Sequence, residues 1–228
     1  MRNLEEVISK IEKHITRKDE VREEALRLSR DVVLNCRKTI QRIHRGKLEE
    51  AEALLSETRK ILLQLTKETE VYPDLYSAGF VENAAQEFVE ATCFLSIMRD
   101  EDLPDPDTLP VSYNAYLQGL CDLVGELRRK TLDSILDGEA REGARYLSMM
   151  EDIYDSILRF DYPSALIPIK RKQDVARSLI EKTRGELAVA LCEERMEQQI
   201  EEFKTVANQL SNRREVKNNS ELDIDRVW

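Results

Sequence analysis

The sequence predicts an all-α protein of six or so long helices, and three observations support this prediction. Charged residues make up 35% of the 228 residues, whereas there are only seven glycines and six prolines. A chain that is rich in Glu, Lys, Arg and Leu and poor in helix breakers favours long helices over a sheet. Apolar residues recur three or four positions apart, and no segment shows the alternation that is typical of a strand.

The helices can be assigned in order from this spacing and from the proline- and glycine-containing turns between them. The first runs from Leu4 to about Ile43, with no proline or glycine before Gly46, and at 1.5 Å per residue it would span roughly 60 Å. The other predicted helices cover Leu48 to about Glu68, Leu75 to about Met98, about Ser112 to Leu136, about Glu142 to Phe160, and the stretch from Pro168 to about Leu210.

These helices form one predicted domain over residues 1–210, followed by a polar tail over residues 211–228. Long helices with apolar stripes on more than one side commonly bury the excess by self-association, so we expect a homo-oligomer. A short proline-rich turn joins the third and fourth helices, which favours antiparallel packing between them. In the fourth helix, Gly119 and Gly125 permit close approach of a neighbouring backbone.

Four acidic residues on the third and fourth helices are candidates for a metal site. Glu87 and Glu90 are three residues apart and share one helix face, and Asp122 and Glu126, four residues apart, share another. The second pair lies in GLCDLVGEL, residues 119–127, among apolar residues and glycines. Buried carboxylates must shift their pKa, bind a cation or stay hydrated, and an all-oxygen ligand set suits Mg²⁺ or Mn²⁺. A chain with 45 acidic residues also produces such spacings by chance on solvated faces.

A basic segment interrupts this acidic chain. Residues 27–47 contain seven basic residues and one acid, although the whole chain has a formal net charge of −10. The polar side of this segment predicts a strip that can neutralise several phosphates without reading base sequence, formed by Arg30, Arg37, Lys38, Gln41, His44 and Arg45. A solvated helix face is the alternative interpretation. The basic clusters at 128–130 and 170–172 are less specific, and the sequence assigns them no role.

Other kinds of site find little support. Neither of the two histidines, His14 and His44, follows a glutamate by three positions, which argues against a ferritin-like di-iron site. The sequence has no GxxxxGK[ST] phosphate loop, no CxxC pair among its four cysteines, no apolar run of membrane length and no secretory leader. We therefore expect an intracellular, cytoplasmic protein that does not bind a membrane.

Three segments together resemble the translin family, and specifically its translin-associated factor X (TRAX) branch. They are RLSRDVVLNCRKTIQRIHR in the first helix, QEFVEATCF in the third and YLQGLCDLVGELRR in the fourth, in family order. The resemblance spans roughly residues 15–205 and implies an all-helical subunit that assembles into a closed octameric barrel with RNA in its interior. For the TRAX branch it implies a metal-dependent endoribonuclease site made by Glu87, Glu90, Asp122 and Glu126, a set that translin itself lacks in complete form. Because no extended basic arm precedes these segments, we expect a compact, prokaryotic-type homo-oligomer.

The leading prediction is a Mg²⁺-dependent (or Mn²⁺-dependent) endoribonuclease that cleaves short or single-stranded RNA inside a homo-oligomeric shell. In this interpretation the four acids hold the ion and activate water, and the basic residues that bind the phosphate backbone are Arg30, Arg37, Lys38, His44 and Arg45. His44 is also a candidate for protonating the leaving oxygen, second to backbone contact. Two alternatives stay open: a non-catalytic shell that binds RNA or single-stranded DNA, similar to translin proper, and an all-α nucleoside-triphosphate pyrophosphatase, which would leave the basic segment unexplained.

Overall fold

A computed structural model describes the backbone of residues 3–222 and the side chains of residues 3–209. All regular elements in this part of the chain are helices, which confirms the predicted fold class. The long helices are α1 (Leu4–His44), α2 (Leu48–Thr69), α3 (Gly79–Met98), α4 (Tyr113–Leu136), α5 (Ala140–Ile157) and α6 (Lys170–Leu222). A one-turn helix (Pro73–Tyr76) precedes α3, and a 3₁₀ turn (Pro106–Thr108) lies between α3 and α4.

The largest differences between the predicted and the observed helix boundaries are at the start of the third helix and at the end of the last helix. The third helix was expected from Leu75 but begins at Gly79, because Ala78 has an extended backbone with φ −70° and ψ 143°. The last helix continues to Leu222 and not only to about Leu210, since its polar end contains no glycine or proline that would stop it. The division of the chain into a domain and a tail stays a prediction, and residues 223–228 lie outside the described part.

The core forms where α1, α3 and α4 meet, with α2, α5 and α6 packed around them. Phe88 and Phe94 of α3 are almost fully buried, and Leu123 and Leu127 of α4 are completely so. Burial of a side chain of this size stabilises the fold by about 1.5–3 kcal/mol. The tight packing of α3 and α4 fixes the relative positions of the acidic residues on these two helices.

Helices α3 and α4 run in the same direction, because the contacts between them advance together along both helices. Ser112, just before α4, donates a hydrogen bond to Glu82 in the first turn of α3 (2.7 Å), and Gly119 lies against Val89 further along. The expected antiparallel packing is therefore wrong. The 14 residues 99–112 can extend over about 45 Å, which exceeds the roughly 30 Å length of α3, so the connection can return the chain to the start of the pair.

Gly119 is required for the close approach of α3 and α4. A Cβ atom at this position would lie 2.7 Å from the Cβ of Val89 and 2.8 Å from the backbone oxygen of Gln86. The expectation for Gly125 is wrong, because a Cβ atom there would meet nothing within 4 Å. Only one of the two glycines thus brings the helices together.

The two longest helices extend beyond the core and expose apolar side chains. At the start of α1, the exposed fraction is 47–59% for Leu4, Ile8, Ile11 and Ile15. Phe203, near the other end of the chain in α6, is 74% exposed. This is the apolar surplus from which the sequence predicts self-association. Over the described ranges, no helix combines the length and the apolar character that crossing a membrane requires.

Candidate functional site

A cavity of about 500 Å³ lies between α1, α3 and α4, and it combines acidic with basic side chains. Its polar lining is provided by Arg37, Lys38 and Gln41 of α1, Glu87 and Glu90 of α3, and Glu126 and Arg129 of α4. Three of the four predicted acids therefore share a cavity with part of the predicted basic strip. The apolar residues Leu34 and Ile40 complete the wall on α1.

Asp122, the fourth acid, lies beside the cavity and faces α6. Lys172, in the first turn of α6, forms an ion pair with Oδ2 of Asp122. The same ammonium group donates to Oε1 of Gln86 (3.1 Å) and to the backbone oxygen of Gln118 (3.3 Å). Lys172 thus joins α3, α4 and α6 at one edge of the acidic cluster.

Glu126 lies at the other end of the acidic cluster, where it contacts His44. His44, at the C-terminal end of α1, places Nε2 at 2.6 Å from Oε2 of Glu126. Its Nδ1 atom is 3.5 Å from Oδ2 of Asp133, and this buried nitrogen has no hydrogen-bond partner in the described part of the chain. The imidazole also packs against the ring of Phe94, with 4.9 Å between centroids. With Glu126 ionised, His44 donates the hydrogen bond that orients this carboxylate.

Glu90 is the acid with the most unfavourable surroundings. Burial, together with the charges of Asp122, Glu126 and Glu87, raises the pKa of Glu90 to about 8. Burial also raises the pKa of Glu87, although Arg37, whose nitrogen lies 3.9 Å from Oε1 of Glu87, opposes that rise. Within residues 3–209, Glu90 forms no ion pair with a basic side chain. A proton or a bound cation is therefore the means by which its charge can be compensated.

The chemistry of the four acids suits a hard divalent cation, because such ions prefer oxygen ligands. Their side chains nevertheless do not form a finished ligand set: over the residues described, no three His, Cys, Asp or Glu side chains are grouped closely enough to hold a metal ion. Lys172 and His44 engage Asp122 and Glu126 instead. The residues fit the ion by donor type and by helix position, and its binding would need the carboxylates to rotate.

The five predicted phosphate-binding residues do not all lie at the cavity. Arg37 and Lys38 line the cavity, and both are exposed. Arg30 lies two turns earlier, in a neighbouring groove of about 350 Å³ that Arg37 also lines. Arg45 is exposed just beyond the end of α1. The side chain of His44 is only 4% exposed, so the expectation that it belongs to the exposed strip is wrong.

Two basic residues of the site had no role in the sequence interpretation. Arg129 lines the cavity because it follows Glu126 by three positions and therefore lies on the same face of α4. Its position could have been deduced from that spacing. Lys172 belongs to a cluster whose neighbours Lys170 and Arg171 are exposed, and no local pattern distinguishes it from them.

The geometry agrees with a family comparison. A model of the translin family matches residues 20–185. The chain belongs to the translin family. A relative from Methanocaldococcus jannaschii, an uncharacterized protein, is 34% identical over 176 residues, which are 76% of this chain and 78% of the relative.

Several solved structures share the fold of this chain. The crystal structure of AfC3PO and the structure of its complex with duplex RNA are both 33% identical to this chain, with a TM-score of 0.75. The match covers 81% of this chain and 96–97% of those chains. The structure of apo-NeC3PO, 20% identical, has a TM-score of 0.73 over 80% of this chain and 96% of that one, and shows the common fold alone.

Proposed function

We propose that this translin-family chain is a Mg²⁺-dependent endoribonuclease of the TRAX type. The observation that carries the proposal is the single cavity in which exposed basic side chains of α1 face carboxylates of α3 and α4. Basic residues attract a phosphodiester backbone, and carboxylates hold the divalent ions that assist its hydrolysis. The presence of all four acids, Glu87, Glu90, Asp122 and Glu126, favours the catalytic branch of the family over translin proper.

RNA is the proposed ligand of the basic wall. Arg37, Lys38 and Arg129 lie on the cavity and would neutralise phosphates of a strand that enters it, and Gln41 would add a neutral hydrogen-bond donor. Such contacts read no base sequence, which suits an enzyme that cuts many RNAs. AfC3PO, similar to this chain over most of its length, has been seen in complex with duplex RNA, and this supports RNA as the ligand here.

The four acids would hold the divalent ion, and the cavity would hold the scissile phosphate beside it. A bound Mg²⁺ supplies a Lewis acid for a phosphoryl oxygen and lowers the pKa of an attacking water. Glu87, Glu90 and Glu126 all line the cavity, so their carboxylates would face the bound RNA. Arg129 and Arg37 would stabilise the negative charge that develops on the phosphate oxygens.

The test is cleavage of a labelled single-stranded RNA, with Mg²⁺ or with EDTA, by the wild-type protein and by Asp122→Asn and Glu126→Gln. Each substitution is expected to lower the rate by about a hundredfold or more, since each removes a charged ligand. Glu57→Gln, which changes an exposed acid on α2, is the matched control and should cleave normally. Undiminished cleavage by both site variants would remove the active-site assignment.

A second candidate is a translin-like protein that binds RNA or single-stranded DNA without cutting it. It is favoured by the ion pair between Lys172 and Asp122 and by the bond between His44 and Glu126, since these partners satisfy two acids without a metal. This candidate predicts binding that weakens steeply with salt, and intact RNA after incubation with Mg²⁺ or Mn²⁺.

The same proposal includes a closed homo-oligomeric shell, an octamer in the form that the family resemblance implies. The exposed apolar residues at the start of α1, among them Ile8 and Ile15, support self-association. Native mass spectrometry of the purified protein measures the number of subunits. A monomer at micromolar concentration would refute the shell while leaving the chemistry of the cavity open to test.

A further inference from the structure

Lys172 is held in place by the acidic cluster and differs in this from an ordinary surface lysine. Its side chain is 26% exposed, and its ammonium group contacts Asp122, Gln86 and the backbone oxygen of Gln118. An ammonium group has three hydrogens, and each of them has an acceptor here. Lys172 is thus fully engaged by the protein and has no free donor for a phosphate.

The start of α6 is fixed so that Lys172 points to this place. Ile169, 2% exposed, packs with Cys121 and Ile157 just before the helix begins. Gln173, 4% exposed, donates to the backbone oxygen of Ile157 (3.0 Å). These buried contacts on both sides of Lys172 set the register of the first turn, so the position of the ammonium group is built into the fold.

From this geometry we propose that Lys172 is a positioning residue, which holds Asp122 at the edge of the cluster and limits the affinity of the cluster for divalent cations. The inference rests on the proposed function, because it assigns a role at the same metal site. It differs from the family-based assignment in adding a residue from a third helix, α6, to the machinery of α3 and α4.

The proposed role follows from competition for one carboxylate. A neutral partner of a metal ligand usually strengthens metal binding, because it orients the ligand without repelling the ion. An ammonium group also orients Asp122, but its positive charge repels a divalent ion beside it. Removal of Lys172 should therefore tighten metal binding, because the repelling charge is lost. It should also slow cleavage, because Asp122 is no longer oriented. A residue with a purely structural role would weaken both when it is removed.

The experiment measures Mn²⁺ binding to the full-length protein by the loss of the free-ion electron paramagnetic resonance signal. Lys172→Met is expected to lower the Kd for Mn²⁺ by about tenfold, because one positive charge leaves the cluster. The matched control is Lys170→Met, which removes the same charge from an exposed position in the same helical turn and should leave the Kd unchanged within about twofold. In Mg²⁺, RNA cleavage by Lys172→Met should fall by about tenfold or more.

A second variant guards against a folding defect. Lys172→Gln is polar and uncharged, so it removes the positive charge without placing an apolar side chain beside Asp122, and it should also bind Mn²⁺ more tightly. Thermal melting shows which variants fold, and the Kd for Mn²⁺ is compared among the folded variants.

The outcomes separate this inference from the proposed function. A folded Lys172 variant that binds Mn²⁺ as weakly as the wild type, or more weakly, overturns the inference even if the wild type cleaves RNA. The absence of Mn²⁺ binding in both the wild type and the variants overturns it as well. Tighter binding by the variants supports it, and a wild-type protein that nonetheless never cleaves RNA refutes the nuclease alone.

Discussion

Replacing Glu90 by glutamine should stabilise the metal-free protein in alkaline solution and leave its stability near pH 4.5 almost unchanged. Burial and three neighbouring carboxylates raise the pKa of Glu90 to about 8 from its ordinary value of 4.5. The folded protein therefore binds this proton more tightly than the unfolded chain does. Glutamine has nearly the same shape as a protonated glutamate but cannot ionise, so it keeps the protonated state at every pH.

The sign and size of the effect follow from proton linkage. Because the folded-state pKa lies above the unfolded value, the contribution of the Glu90 proton to stability is fully present below about pH 4.5 and is lost as the pH rises through about 8. The free energy of unfolding should thus fall by up to about 5 kcal/mol over this range, at about 1.4 kcal/mol per pKa unit. For a chain of this length, that corresponds to a difference in Tm of roughly 10–20 °C.

The assay is thermal or denaturant unfolding in EDTA between about pH 4.5 and 9, at equal subunit concentrations because self-association also changes Tm. The difference between Glu90→Gln and the wild type should be small at the acidic end and grow steadily towards the alkaline end. The control Glu57→Gln, on the exposed side of α2, should follow the wild type throughout. If the stability of Glu90→Gln and of the wild type depends on pH in the same way, the pKa of Glu90 is not raised in the folded protein.

Three further predictions test other parts of the structure. Gly119→Ala should lower the free energy of unfolding by about 1–3 kcal/mol, because the added Cβ would overlap Val89. Gly125→Ala should raise the free energy of unfolding by about 0.5–1 kcal/mol, because the added Cβ meets no neighbour and alanine favours a helix. Urea unfolding of both variants measures these changes. Lys38→Ala should weaken RNA binding at low salt and reduce the slope of log K against log salt by about one phosphate contact, measured by fluorescence anisotropy. Addition of MgCl₂ should raise the Tm of the wild type more than that of Glu90→Gln at about pH 8, and equal shifts would place the ion elsewhere.

The helices were predictable because their determinants are local. The stretch from Leu4 to His44 contains no breaker and has a regular apolar spacing, so its length follows from the sequence. The start of α4 was also predicted to within one residue. In the structure Ser112 is its N-cap, and its hydroxyl accepts a hydrogen bond from the backbone N–H of Ala115 (3.0 Å). The end of α6 was not predicted, since a polar helix end without glycine or proline looks the same as a polar tail.

The direction of α4 relative to α3 could not be predicted, because it depends on the path of the connection between them. A turn of 14 residues is long enough either to form a hairpin or to return along α2. The structure shows the second course: Arg99 pairs with Glu52 of α2 (2.8 Å), and Arg59 of α2 donates to the backbone oxygen of Thr108 (2.8 Å). Such contacts between distant residues decide the topology, and they cannot be predicted from the residue spacing along one helix.

The acids of the site were predictable from spacing, whereas their partners were not. Carboxylates three or four residues apart must share a helix face, so Glu87 with Glu90 and Asp122 with Glu126 followed from the sequence. Lys172 reaches Asp122 from 50 residues away, and His44 reaches Glu126 from 82 residues away. The prediction of a metal site thus rested on carboxylates alone, without the cationic and hydrogen-bonding groups that already engage two of them.

The same contacts explain how this fold can hold three of the acids, Asp122, Glu126 and Glu90, near one another without a metal ion. Lys172 compensates Asp122, His44 orients Glu126, and a proton compensates Glu90 at neutral pH, because its pKa of about 8 keeps it mostly protonated. A divalent ion that binds at the centre must displace that proton, so its affinity must rise with pH. The ion and the proton would thus be alternative means of compensating the charge of Glu90. In the nuclease that we propose, loss of the Glu90 proton would therefore accompany metal binding.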